Sequence, residues 1–241
     1  MYHFPGIRLR VKTKATPKVK ELHFEATKSS GRVSAVLLRP DGARWLLVLG
    51  HGAGAGMRHR SMEAIAAELA EHGIATFRYQ FPYMEHGSKR PDPRPILLTT
   101  VRSAVAAAVD VAGDLPIIAG GKSMGGRMSS LAAAEAPLPH VHGLVFFGFP
   151  LHPAGKPSTE RGDHLANVEV PMLFLQGTRD ALADLTLLRP ICKKLSVRAT
   201  LQVIDGADHS FHMLKSSGRT DGEVLEELAQ IVLAWTSQLS K

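Results

Sequence analysis

The sequence lacks the features of several protein classes. It has one cysteine, Cys192, which cannot form an internal disulfide or a thiolate metal site, so we predict a reducing, cytoplasmic location. Its longest apolar runs, such as Trp45 to Leu49, fall far short of the roughly 20 residues that span a bilayer, and no signal-peptide pattern opens the chain. The sequence therefore predicts a soluble protein without membrane contact.

The composition is that of an ordinary globular protein. Apolar residues make up 44% and charged residues 21% of the 241 residues, with 22 glycines and 15 prolines, so a disordered or collagen-like chain is excluded. This length is compatible with a single α/β domain.

The positive charge is concentrated at the N-terminus. The net charge is +7, and because residues 1–20 hold six basic residues and no acidic one, the remainder carries only +1. We therefore expect a basic arm over residues 1–20 and a single domain over residues 21–241. Lysines in such an arm are typical of a solvated edge strand, which we favour over an arm that docks nucleic acid or another acidic partner.

Short runs of β-forming residues alternate with helical patterns along the rest of the chain. This alternation predicts an α/β fold with a mostly parallel central sheet of about eight strands and helices on both faces. The predicted strands are 19–25, 32–39, 45–50, 74–81, 116–120, 143–149, 171–176 and 199–205.

The clearest helices are marked by their ends. One is predicted over 61–72 with Ser61 as N-cap, and another over 96–112, ending at Gly113. Thr220 and Glu223 predict a capping box that opens the last helix. Segments 82–95 and 150–169 are proline-bearing loops, and we expect 150–169 to form a short cap loop over a site at the strand ends.

The segment Gly121-Lys122-Ser123-Met124-Gly125 follows a predicted strand and precedes a small-residue helix. This is the G-x-S-x-G pattern in its strand-turn-helix setting, which predicts Ser123 as a nucleophile. Side chains at either glycine would collide with the neighbouring strand or helix. The Met124 N–H at the helix start is a candidate oxyanion donor.

A serine nucleophile needs a base and an orienting acid, and both follow later strands. Asp180 comes just past strand 171–176, and His209 comes just past strand 199–205. The chain order Ser, Asp, His is that of α/β-hydrolases. Asp184 and Asp208 are alternative acids, but the first is expected to cap a helix and the second to point away from its neighbour His209.

The glycine-rich loop after the third strand should supply the second oxyanion donor. We predict the Ala53 N–H, with Gly54 as the alternative. Candidate substrate-binding residues are His51, Gly52, His152 and Lys122, although a structural role for each histidine is equally compatible with the sequence. We expect four basic residues near the rim of the site: Lys122, Arg58, Arg60 and Lys156. Their positive charge would suit an anionic substrate, but solvated surface charge explains them equally well.

Five segments carry a resemblance to a known family: GHGAGAGM at 50–57, GGKSMGGR at 120–127, GFPLHPAGKP at 148–157, LFLQGTRD at 173–180 and GADHSF at 206–211. Through them, residues 20–240 resemble the α/β-hydrolase family that contains the testis-expressed hydrolase-like proteins and, more distantly, the dienelactone hydrolases. The resemblance implies hydrolase activity with nucleophile, acid and base at Ser123, Asp180 and His209, but no particular substrate. Dienelactone hydrolases carry cysteine at the nucleophile position, which disfavours a dienelactone substrate here. Some relatives serve as parts of chromatin complexes.

Other motifs fit less well. The letters GKS suggest a phosphate-binding loop, but that pattern would need glycine where Pro116 stands. Residues 50–55 match the looser dinucleotide fingerprint, yet the next strand ends without the acidic residue that would bind a ribose. The pairs His140/His142 and His209/His212 have no nearby ligand cluster, so we expect no metal.

These patterns together predict a serine hydrolase that needs no cofactor and acts on a small soluble ester or thioester, through an acyl-enzyme intermediate. The alternative is a non-catalytic protein that keeps the hydrolase shell and docks partners through its basic arm.

Overall fold

The computed structural model describes residues 17–239. In this range eight strands form one sheet. Both ends of every predicted strand lie within two residues of the ends of an observed strand. Their bounds are Lys18–Thr27 (β1), Gly31–Arg39 (β2), Trp45–Gly50 (β3), Ile74–Tyr79 (β4), Ile117–Lys122 (β5), Val141–Phe147 (β6), Met172–Gly177 (β7) and Ala199–Ile204 (β8).

The sheet order is β1-β2-β4-β3-β5-β6-β7-β8. The β1–β2 and β2–β4 pairs are antiparallel, and all other neighbouring pairs are parallel. The prediction of a mostly parallel sheet is therefore confirmed. Strands β3 to β8 all end at one edge of the sheet, which we call the upper edge, so the segments that follow them meet there.

Six α-helices are described: Arg60–Glu71 (α1), Pro82–Glu85 (α2), Arg94–Ala112 (α3), Met124–Glu135 (α4), Leu185–Leu195 (α5) and Asp221–Thr236 (α6). Short 3₁₀ helices span Glu160–Asn167, Ser196–Arg198 and Lys215–Ser217. Buried side chains divide into two clusters, with α3, α4 and α5 on one face of the sheet and α1 and α6 on the other. Helices thus cover both faces, as predicted.

The helix ends follow the predicted signals with one exception. The capping box of Thr220 and Glu223 is present, and Gly113 ends α3. The prediction of Ser61 as the α1 N-cap is wrong. His59 is the N-cap because its Nδ1 accepts a hydrogen bond from the Ser61 N–H at 3.3 Å, which places Ser61 inside the first turn.

Both segments predicted to be irregular contain helical turns. Pro82 opens α2, since its fixed φ suits a first helical position and its missing N–H leaves no donor unsatisfied there. The 3₁₀ helix at 160–167 buries Leu165 completely. The irregular interpretation missed these turns because each is too short to show helical periodicity.

Helix α3 has 19 residues and a mean hydropathy of 1.5, so by length and composition alone it could cross a membrane. The sequence pattern predicted this segment as a helix and not as a membrane span. Its apolar side chains pack in the core between the sheet and α4, and those fully or nearly fully buried are Leu97, Leu98, Val101, Ala104, Val105, Ala108 and Ala112. A core helix of a soluble protein passes the same length and hydropathy test.

Most of the predicted basic arm, residues 1–16, lies outside the described residues. Lys18 and Lys20 are exposed in β1, which lies at an edge of the sheet. The predicted boundary at residue 20 therefore falls inside a strand.

Candidate active site

Ser123 stands at a sharp turn between β5 and α4. Its φ is 50° and its ψ is −115°, a backbone conformation that non-glycine residues rarely adopt. The surrounding structure holds the turn, because the Ser123 N–H donates to the Phe147 carbonyl oxygen at 3.1 Å and the Arg127 N–H donates to the Ser123 carbonyl oxygen at 3.1 Å. The turn sets Ser123 at the upper edge, as the G-x-S-x-G pattern predicts.

The two glycines of the pattern are required by close backbone contacts. A Cβ at Gly121 would lie 2.3 Å from the Gly50 carbonyl oxygen, and one at Gly125 would lie 2.3 Å from the Gly50 carbonyl carbon. Real Cβ atoms essentially never approach backbone that closely. Strand β3 and helix α4 can therefore meet under Ser123 only if both positions are glycine.

The structure brings Ser123, His209 and Asp180 together across 86 residues of chain. The Nε2 atom of His209 lies 2.8 Å from the Ser123 hydroxyl oxygen, and its Nδ1 lies 2.7 Å from an Asp180 carboxylate oxygen. The Asp180 side chain is fully buried, whereas the His209 side chain is 22% exposed. A hydroxyl, an imidazole and a buried carboxylate in this order can move a proton from the hydroxyl to the imidazole.

A residue that the sequence analysis missed holds the carboxylate in place. The Gln176 amide nitrogen donates to the same Asp180 oxygen that faces His209, and the Leu182 N–H donates to the other oxygen at 2.8 Å. The Gln176 amide oxygen accepts from the Phe149 N–H at 2.9 Å, so this fully buried side chain links β7 to the segment after β6. A glutamine inside an apolar strand is the signal that could have identified it.

The two alternative acids are engaged elsewhere. Asp184 caps α5 by accepting from the Thr186 N–H, as expected. Asp208 accepts from the backbone of Ser210 and His212, at 2.7 and 2.9 Å. Asp180 is therefore the carboxylate that reaches His209.

His51 ties the glycine-rich loop to the end of β4. Its Nε2 accepts from the Phe81 N–H at 3.1 Å, so its Nδ1 carries the proton and donates to the Gly52 carbonyl oxygen at 2.8 Å. The N–H and C=O of a trans peptide point in opposite directions. The Ala53 N–H is therefore turned away from the buried His51 ring.

The same loop lies against the nucleophile. A Cβ at Gly52 would be 3.7 Å from the Ser123 Cβ. Gly52 thus brings the glycine-rich loop against the nucleophile, and both Ala53 and Gly54 stay candidates for the second oxyanion donor.

Three of the four predicted substrate-binding residues are buried structural groups. His51 is completely buried, and burial lowers its pKa to about 4. His152 is 4% exposed, with its Nδ1 2.9 Å from the Pro153 carbonyl oxygen, and its Nε2 accepts from the Asp184 N–H. Neither imidazole is open to a ligand, whereas the Gly52 backbone does lie beside Ser123.

Lys122 does not lie on the rim of the site as expected. It is 8% exposed, its Nζ donates to the His209 carbonyl oxygen, and this nitrogen is 5.6 Å from the centre of the Phe211 ring. Burial lowers the pKa of Lys122 to about 8, against the opposing charges of Asp180 and Asp208. Since β5 ends beneath the loop that follows β8, the lysine supports the His209 backbone from below.

The other predicted rim residues are at the surface. Arg58 forms an ion pair with Glu21, and Arg60 and Lys156 are exposed. Arg78, the one basic residue at the end of β4 that could have met a dinucleotide phosphate, is 4% exposed and donates to the Met57 carbonyl oxygen at 3.1 Å. Within residues 17–239, histidine, cysteine and acidic side chains form no group of three that could hold a metal ion.

A cavity of about 410 Å³ adjoins the glycine-rich loop at the upper edge. It is lined by that loop, the ends of β4 and α2 and the start of β2, through Ser34, Gly54, Ala55, Gly56, Met57, Arg58, His59, Gln80, Met84 and Glu85. Its volume lies within the range of small-molecule sites.

Comparison with known proteins gives a family and a fold. A family model described as an alpha/beta hydrolase domain matches residues 43–237. The structure is similar to a dienelactone hydrolase from Anabaena variabilis, with a TM-score of 0.73, 19% identity, and coverage of 94% of this chain and 100% of that one. It is also similar to an α/β serine hydrolase without lid from Xanthomonas campestris, with a TM-score of 0.70, 19% identity, and coverage of 90% and 95%.

The curated relatives are about twice as long as the part of them that matches this chain. Two strains of Mycobacterium tuberculosis carry a protein named "Putative phosphoribosyl transferase" that is 25% identical over 230 residues. The match covers 92% of this chain and 47% of theirs, so this chain spans about half the length of these relatives.

Proposed function

This chain belongs to the α/β-hydrolase family, and from that premise we propose that it is a serine hydrolase that cleaves a small ester or thioester. The observation that carries the proposal is the unbroken hydrogen-bond chain from the Ser123 hydroxyl through His209 to the buried Asp180. Its first member sits on a strained turn at the strand ends, where Gly121 and Gly125 let β3 and α4 meet beneath it.

The first half of the proposed reaction forms an acyl-enzyme. The Ser123 oxygen attacks the carbonyl carbon while His209 Nε2 takes the hydroxyl proton, and Asp180 stabilises the resulting imidazolium. The N–H groups of Met124 and Ala53 stabilise the oxyanion. The tetrahedral intermediate then collapses, and His209 donates its proton to the departing alcohol or thiol.

The second half repeats these steps with water as the nucleophile. His209 takes a proton from water as the water oxygen attacks the acyl carbon, and the same two N–H groups stabilise the second oxyanion. Collapse breaks the bond to Ser123, whose oxygen recovers its proton from His209. The products of this half are a carboxylic acid and the free enzyme, and the proposed reaction consumes no cofactor.

The cavity of about 410 Å³ beside the glycine-rich loop has none of the three triad residues in its lining. The proposal of a small substrate therefore does not rest on the volume of this cavity. The transferase name of the mycobacterial relatives is not transferred, because half of their length has no counterpart here. A cytoplasmic location and the absence of nucleic-acid and membrane partners remain predictions.

A fluorophosphonate probe read by intact mass tests the proposal. We expect stoichiometric labelling of the wild type and loss of labelling in Ser123→Ala and His209→Ala, because only an activated serine reacts with the probe. Ser216→Ala, which removes an exposed serine, is the matched control and should label fully. Labelled protein should also hydrolyse short acyl p-nitrophenyl esters no faster than buffer.

Two outcomes would contradict the proposal. One is a folded wild type that takes no label, which would favour the alternative of a non-catalytic hydrolase shell. The other is a label that persists in Ser123→Ala, which would place the reactive group elsewhere.

A further inference from the structure

Three arginines lie on three elements that pack together, α3, α4 and the 3₁₀ helix at 160–167. Arg94 opens α3, Arg127 lies in α4, and Arg161 lies in the 3₁₀ helix at 160–167. Helix α4 packs against both other elements. A hydrogen bond between Ser130 and His164 of 2.7 Å fastens the 3₁₀ helix to it.

The positive charges of these arginines repel one another, and no ion pair with an acidic side chain neutralises them within residues 17–239. Burial is the main cause of the lowered pKa of Arg127, and the charges of Arg161 and Arg94 lower it further. Burial likewise lowers the pKa of His164, and the charges of Arg127 and Arg94 add to this effect. Asp163 is the one acid that opposes them at His164.

Arg127 is partly exposed, but one of its donor atoms is buried. Its Nε atom is buried and has no hydrogen-bond partner within the described residues, while burial itself lowers the pKa of the side chain. A buried donor without a partner costs about 1–3 kcal/mol. A cationic donor that is desolvated beside two other cations is a site prepared for an anion.

The cluster lies close to the proposed nucleophile. Arg127 follows Ser123 by one helical turn, about 6 Å along the axis, and its N–H donates to the Ser123 carbonyl oxygen. Side chains on a helix lean toward its N-terminus, which directs the Arg127 guanidinium back toward the upper edge. Arg94 and the 3₁₀ helix of Arg161 reach that edge from segments that follow β4 and β6.

We propose that Arg94, Arg127 and Arg161 bind a carboxylate or phosphate group on the substrate, a few bonds from the carbonyl that Ser123 attacks. The inference rests on the proposed function and assigns its substrate class, an ester or thioester with a negatively charged oxygen group. The planar guanidinium donates two parallel N–H groups to either anion, which fits both chemistries. These residues differ from those that the sequence suggested for an anionic substrate, Lys122 and Arg58 among them.

Paired substrates measure the contribution of the cluster. Mono-p-nitrophenyl glutarate carries a free carboxylate, and p-nitrophenyl butyrate is its neutral counterpart. We expect the wild type to prefer the glutarate ester, and Arg127→Gln to lower that ratio of kcat/KM by about 10- to 100-fold, the worth of one charged hydrogen bond in a partly buried site. Arg161→Gln, which changes a member on a different element, should lower the ratio in the same direction even if Arg127→Gln destabilises the fold.

Arg32→Gln is the matched control, because it removes the same charge from an exposed position on β2. Its ratio should equal that of the wild type. A fall in Arg32→Gln as large as in Arg127→Gln would mean that net charge alone sets the preference, and would overturn the inference. Equal use of both esters by the wild type would overturn it as well.

Binding without turnover separates this inference from the proposed function. Glutarate and inorganic phosphate are titrated separately into the Ser123→Ala protein by calorimetry, and we expect binding of at least one that is lost when Arg127→Gln is added. If this binding occurs while the wild type hydrolyses neither ester, the anion site stands and the proposed function fails. If the wild type hydrolyses both esters equally and neither anion binds, the function stands and the anion site is refuted.

Discussion

Replacing Lys122 with methionine separates the contribution of Lys122 to stability from its contribution to catalysis. Methionine has similar length and volume but carries no charge and no donor. The substitution removes the bond from the lysine Nζ to the His209 carbonyl oxygen and leaves the packing near the Phe211 ring largely filled. We expect stability to be kept while activity falls.

The magnitude follows from the pKa of the buried amine. Burial lowers the pKa of Lys122 from 10.5 to about 8, so keeping the amine charged at pH 7 costs the native state about 3 kcal/mol. Methionine removes that cost and leaves the His209 carbonyl without a donor, a loss of about 1–3 kcal/mol. The two effects nearly cancel, and the Lys122→Met protein should be as stable as the wild type or more stable by up to about 2 kcal/mol.

A dependence on pH identifies the cause. Between pH 8 and 10.5 the unfolded lysine keeps a proton that the native lysine has lost, so the free energy of unfolding of the wild type rises with pH in this window. From pH 7 to pH 9 the wild type should gain about 1 kcal/mol relative to Lys122→Met. Urea unfolding at both pH values measures the difference, with Lys89→Met, an exposed loop lysine, as the control that should show none.

Unlike stability, the activity of the Lys122→Met protein should fall. Without its support the His209 backbone can shift, and a displacement of about 1 Å at a proton-transferring group costs up to about 100-fold in rate. We expect kcat on p-nitrophenyl butyrate to fall by at least about 10-fold with little change in KM. A loss of several kcal/mol of stability at pH 7, or the same pH response in both proteins, would refute the reasoning.

Three further substitutions test other parts of the site. His51 is buried with its pKa lowered from 6.5 to about 4, so the stability that its neutral form provides above pH 6.5 is lost as pH falls. Urea unfolding at pH 8 and pH 5 should show a loss of about 2 kcal/mol in the wild type that His51→Gln escapes. Gly125→Ala would place a Cβ 2.3 Å from the Gly50 backbone and should lower the free energy of unfolding by at least about 3 kcal/mol. Gly222→Ala in α6 is the control and should leave stability unchanged, because a Cβ there meets no close neighbour. Equal shifts of the melting temperature in the two variants would contradict the steric argument. Gln176→Met removes the donor to the proposed acid, and its kcat should fall by about 10-fold with a normal far-UV spectrum, a prediction that unchanged turnover would refute.

The sequence by itself determined the positions of the strands along the chain and the turn at Ser123. Each of these is a local property: β-forming runs between glycine and proline signals specify strands, and glycines two residues to either side of Ser123 permit one turn geometry. Asp180 and His209 could be named for a similar reason. Both follow strand ends directly, and in a parallel sheet those ends converge at one edge.

Tertiary structure alone decided what surrounds these residues. Lys122 reaches the His209 carbonyl 87 residues away only because the loop after β8 folds back over the end of β5. Gln176 contacts Asp180 within one segment, but the Phe149 N–H that holds the other end of its amide comes from the segment after β6. The same holds for Arg94, Arg127 and Arg161, which come from three separate elements and have no common spacing in the chain. Burial sets the charge state and the partners of such groups, and burial depends on contacts between distant segments rather than on neighbours in sequence.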